Sequence, residues 1–156
     1  MKKIGFFLVL LPVLLNAQTM SNEDISLTNK DIKIPGTLTY IKTDAKIPLV
    51  IFVHGSGNID RNPIQINYIK TLADSLNNRG IAFYSYDKRT ATIENIAKLK
   101  NIAVSDFADD AKIAIQNFKN DTRFSGIYLI GHSQGSLVAM LAITDDIKAY
   151  ISIAGA

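Results

Sequence analysis

Cysteine is absent from the 156 residues. Its absence excludes disulfides, thiolate metal sites, a cysteine nucleophile and a lipid-anchored cysteine at the start of a mature chain. Histidine occurs only as His54 and His132, far apart and without neighbours at metal-ligand spacing, so neither a metal site nor a cofactor is expected. A membrane-spanning helix needs about 20 apolar residues. The apolar run from Ile4 to Leu15 is shorter and is broken by Pro12. Clustered blocks of Lys and Arg are also missing, which argues against nucleic acid as a partner. No low-complexity tract interrupts a composition that is 47% hydrophobic and 20% charged, so a packed domain is expected.

What is present begins with a targeting pattern. Met1-Lys2-Lys3, the apolar run and then Asn16-Ala17-Gln18 follow the charged, hydrophobic and small-residue order of a secretory signal, with cleavage expected near Ala17. Residues 1–17 are therefore read as a signal peptide and 18–156 as the folded part. The expected location is periplasmic or extracellular, with no membrane attachment after cleavage. Losing Lys2 and Lys3 lowers the formal charge of +3 by two, so the basic balance belongs partly to the leader.

Ile25 to Ile41 alternates as short strands around Pro35-Gly36, read as a turn between an opening antiparallel pair. Leu49-Val50-Ile51-Phe52-Val53 is apolar at every position, as in a strand covered on both faces. Asn62 and Pro63 are expected to start a helix with Ile69, Leu72, Ala73 and Leu76 on one stripe, ended by Gly80. A strand over 81–86 follows, then the polar turn Asp87-Lys88-Arg89 and a weak helical stretch around Ile93. Ser105 is read as the cap of a helix burying Phe107, Ala111, Ala114, Ile115 and Phe118. The strand Ile127–Ile130 precedes Gly131-His132-Ser133-Gln134-Gly135. Leu137 to Ile143 is apolar nearly all round, as in a helix buried against a sheet, and Ala149 to Ile153 reads as a further core strand. Strands alternating with helices imply an α/β fold, a mostly parallel sheet with helices on both faces.

Gly131-His132-Ser133-Gln134-Gly135 fits G-x-S-x-G between a strand and a helix, the setting of a nucleophile elbow. Glycine at 131 and 135 avoids side-chain clashes in the tight bend, and backbone strain at Ser133 lifts its Oγ clear of the sheet. The Gln134 amide, at the helix start, then points to where an oxyanion would form. His54-Gly55-Ser56-Gly57 ends the central apolar strand on the side where open α/β sheets bind ligands. Its two glycines let the backbone bring a second amide, that of Ser56, to the same oxyanion. Neither His54, suited to shaping its loop, nor His132, on the incoming strand, is expected to be the general base.

Together with Asp60-Arg61-Asn62 and Pro35-Gly36-Thr37-Leu38-Thr39, these motifs resemble the α/β-hydrolase superfamily, and the opening is similar to that of exported bacterial esterases. Many relatives carry Gly where this chain has Ser136. The resemblance implies an ester or other acyl substrate, attack by Ser133, an oxyanion hole from Ser56 and Gln134, and an acid then a His after later strands. Residues 134–156 hold no His, and their only side-chain carboxylates are Asp145 and Asp146, read as solvated turn residues. The chain is thus expected to be the N-terminal portion of the fold, C-terminally incomplete and nearly inactive by itself. For Asp87, Lys88 and Arg89 the resemblance implies a structural ion pair near the oxyanion loop. Asp109 and Asp110 are read as favourable charges at a helix N-terminus. Ester, peptide and thioester chemistry, a non-catalytic binding role and the oligomeric state are left open at this point.

Overall fold

The computed structural model describes residues 19–61 and 68–155. The expected signal peptide, Asn62 and Pro63 lie outside the described residues. The elements are strands β1 (Met20–Asn29), β2 (Ile32–Ile41) and β3 (Ile47–Val53), helix α1 (Tyr68–Asn77), strand β4 (Ala82–Tyr86), helices α2 (Ile93–Ile96) and α3 (Val104–Phe118), strand β5 (Phe124–His132), helix α4 (Gln134–Leu141) and strand β6 (Ile147–Ile153). They form one sheet in the order β1-β2-β4-β3-β5-β6. The β1–β2 and β2–β4 pairs are antiparallel, and β4, β3, β5 and β6 run parallel.

The central strand β3 alternates between two cores because successive side chains leave opposite faces of a strand. Leu49, Ile51 and Val53 pack with Ala111, Ala114 and Ile115 of α3 and Val138 and Ala139 of α4. Val50 and Phe52 face Ile69 and Ala73 of α1. Helices therefore cover both faces, which is why β3 carries no polar residue between Leu49 and Val53.

Several local readings are corrected. Pro35-Gly36 lies inside β2, with Pro35 opposite Ser26 and Gly36 opposite Ile25. The hairpin turn is Lys30-Asp31, with Lys30 at φ 57. Gly36 is required by packing, because a Cβ there would fall onto the phenol of Tyr84. The N-cap of α3 is Ala103, not Ser105, and the Asp106 carboxylate accepts the Ala103 N–H at 2.8 Å. Phe107 is only half-buried on that helix.

The outer face of α4 is also open: Leu137, Met140 and Leu141 are exposed, as is Ile143 just beyond it. β6 forms the sheet edge among the described residues, with Ile151 and Ile153 exposed. Apolar character all round α4 thus coincides with burial on one side only.

Candidate active site

The bend from β5 into α4 places Ser133 at φ 52, ψ −124, a region that L-residues enter only under strain. Tertiary bonds hold it there. The Ser133 N–H donates to the Ile153 carbonyl at 2.8 Å, and the Ser136 N–H donates to the Ser133 carbonyl at 2.9 Å. The flanking glycines are obligatory on steric grounds. A Cβ on Gly135 would collide with the carbonyl oxygens of Val53 and His54, and one on Gly131 with the backbone of Gly135 and Ser136. Ser133 itself is half-buried, so it stays accessible while its supports are packed. The Ser136 Oγ donates to the Gly131 carbonyl at 2.8 Å, tying the helix start back to the end of β5.

The loop after β3 meets this bend. A Cβ on Gly55 would lie 3.2 Å from the Ser133 Cβ and 3.1 Å from Nδ1 of His132, so the absence of a side chain at 55 permits the approach. Gly57 has φ 96, a turn that glycine adopts without strain. Ser56, between them, is exposed. Thus the segments singled out from sequence, the loop carrying Ser56 and the bend carrying Ser133 and Gln134, meet at one end of the sheet.

Each histidine is held by a neighbour of its own. His54 is buried, with its Nε2 3.2 Å from Ser85 Oγ and its ring edge-on to Phe52. Burial, with the nearby Lys88 charge adding to it, pushes its pKa down to about 4. It is neutral at pH 7. His132 lies against the Tyr68 ring, its Nδ1 3.5 Å from the phenol oxygen.

The tripeptide after β4 is the part whose detail sequence reasoning missed. Asp87 accepts from the Arg61 N–H at 2.8 Å and from its guanidinium at 2.7 Å. Lys88 donates from Nζ to the Gly55 carbonyl at 2.7 Å and to Gln134 Oε1 at 3.1 Å. Arg89 makes a buried pair with Asp110, at 2.8 and 2.6 Å, and reaches Asp106 at 3.3 Å. Asp110 is therefore a buried ion-pair partner, contrary to its reading as a helix-terminal charge. Asp109 is exposed beside Lys112, and Asp145 and Asp146 sit in an exposed turn.

A mostly parallel sheet flanked by helices, with a strained serine at the strand-to-helix bend and a glycine loop against it, defines an α/β hydrolase. Residues 45–156 match the family described as Serine aminopeptidase, S33 (Hydrolase_4), and the chain belongs to that family. It is similar to Esterase EstD of Thermotoga maritima, at 30% identity over 130 residues, which cover 82% of this chain and 30% of that protein. Among solved structures, Est1E from Butyrivibrio proteoclasticus shares the fold with a TM-score of 0.65 at 24% identity, over 81% of this chain and 48% of that one. Dienelactone hydrolase from Anabaena variabilis does so with a TM-score of 0.70 at 20% identity, over 87% and 64%. The chain thus spans under a third of the matched esterase's length.

Proposed function

We propose that the whole protein is a serine hydrolase that cleaves carboxylic esters through an acyl-enzyme on Ser133. The observation that carries this reading is the strained Ser133 backbone (φ 52, ψ −124) held beside the Gly55 loop. Strain persists at positions where function needs it, and a turn with no chemical role would relax by carrying glycine at 133. In the reaction, Ser133 Oγ bonds to the ester carbonyl carbon and the carbonyl π pair moves onto oxygen. The Ser56 and Gln134 amides receive that oxyanion. Collapse breaks the bond to the alkoxy group, which leaves as the alcohol, and water then releases the acid and frees Ser133.

The proton-accepting base is neither His54 nor His132, given their partners above. We place the base, a His oriented by a carboxylate, beyond residue 156 in the whole protein, in the order Ser, acid, His. Residues 1–17 act as an export signal on the same reading, so that the enzyme works outside the cytoplasm on small acyl substrates.

The description of the family as serine aminopeptidases favours one second reading, peptide cleavage with the same nucleophile. A panel of short-chain nitrophenyl esters and amino-acid nitroanilides, given to the full-length protein, separates the two. The ester reading expects ester turnover that falls at least about 10³-fold in Ser133→Ala. Faster turnover of anilides than of esters supports the peptidase, and no Ser133-dependent turnover of either contradicts both.

A further inference from the structure

The side chain of Lys88 is buried, yet among the described residues no carboxylate forms an ion pair with it. A buried ammonium is normally matched by an anion, because removing it from water is expensive. Here it is matched by neutral oxygens: the Gly55 carbonyl at 2.7 Å and Gln134 Oε1 at 3.1 Å, with the face of Phe107 4.6 Å away. The adjoining cavity, of about 10 Å³, has room for at most one water. Burial accordingly lowers the Lys88 pKa below the ordinary lysine range.

The two acceptors belong to the two segments that meet at Ser133. A peptide unit is planar and trans, so the Gly55 carbonyl and the Ser56 N–H point in opposite directions. Fastening the carbonyl to Lys88 aims the Ser56 N–H away from Lys88. The second acceptor is the side chain of Gln134, whose own N–H opens α4. The Lys88 backbone adds a third tie, its N–H donating to the Ile59 carbonyl at 3.0 Å in the same loop.

We propose that Lys88 is the positioning residue of the oxyanion hole, a single ammonium that sets the separation and direction of the Ser56 and Gln134 amides by holding the Gly55 carbonyl and the Gln134 side chain together. The inference rests on Ser133 being the nucleophile. Its action is through other groups: Lys88 touches no substrate atom and transfers no proton. Stabilisation by such a hole is confined to the transition state, so Lys88 governs kcat and leaves KM nearly alone.

The test uses the full-length protein, nitrophenyl ester kinetics and the rate of labelling by a fluorophosphonate. In Lys88→Met, which keeps the apolar stem, kcat and labelling rate are expected to fall about 30- to 300-fold, with KM within threefold. The scale follows from the 10²–10³-fold loss typical of one missing donor. Gln134→Met keeps its backbone amide, lies at an accessible position, and cuts one of the two ties. It is expected to lower kcat about tenfold, and adding it to Lys88→Met should cause no further loss.

A folded Lys88→Met with kcat within threefold of wild type overturns the proposal, as does a loss confined to KM. Should Lys88→Met fail to fold, Gln134→Met decides: unchanged kcat overturns the proposal and a tenfold loss at constant KM supports it. Wild-type protein that is not labelled at Ser133 removes the underlying reading instead. Normal wild-type labelling with an unaffected Lys88→Met removes only the role of Lys88.

Discussion

Replacing Ser133 by glycine should stabilise the protein while abolishing its chemistry. At φ 52, ψ −124 the serine Cβ is held in an unfavourable backbone region, at a penalty of about 1–3 kcal/mol. Glycine adopts such backbone angles freely but has extra freedom in the unfolded chain, which takes back about 0.5–1 kcal/mol. The net expectation is a gain of up to about 2.5 kcal/mol. Ser133→Ala is the control, because it removes Oγ and keeps Cβ, and it should remain within about 0.5 kcal/mol of wild type. Urea unfolding of the three full-length proteins measures this as a shift in midpoint at constant slope. A Ser133→Gly midpoint at or below that of Ser133→Ala would refute the claim that the elbow is strained by its side chain.

Gly135→Ala pushes a methyl group onto the carbonyl oxygens of Val53 and His54; we expect a loss of about 3 kcal/mol or more, read from the same unfolding curves. Asp110→Asn leaves the buried Arg89, among the described residues, with Asp106 as its one remaining ion-pair partner, and should destabilise by about 3 kcal/mol; a change under about 1 kcal/mol would mean that the pair is solvated. His54 has a folded-state pKa of about 4 against 6.5 unfolded, so the unfolded state binds the extra proton between those values. The stability His54 contributes is complete above pH 6.5 and is lost as pH falls toward 4, by about 3 kcal/mol in all. In His54→Asn the unfolding free energy should therefore vary less than wild type across that window, and identical pH profiles would count against a buried neutral imidazole.

The legible parts of the fold were those written in local pattern. Leu49 to Val53, apolar throughout, forecast a doubly covered strand, and the glycines at 131 and 135 forecast the tight bend because no other residue clears the backbone there. What escaped depended on partners distant in sequence. Gly36 resembles a turn residue beside Pro35, yet it is needed because Tyr84 packs over it from β4. Asp110 looked like a helix-end charge until the fold delivered Arg89 to it across 21 residues. The apolar outer side of α4 carried no periodic polar face to mark it as exposed. Lys88 bonds to a backbone carbonyl and an amide oxygen, and such a pairing has no signature in the sequence.

The most direct test of the central claim is to label the full-length protein with a fluorophosphonate and locate the adduct by tandem mass spectrometry. The account predicts a single modified serine, Ser133, with labelling abolished in Ser133→Ala and retained in Ser136→Ala. Equal labelling of wild type and Ser133→Ala, or an adduct on another serine, would contradict it.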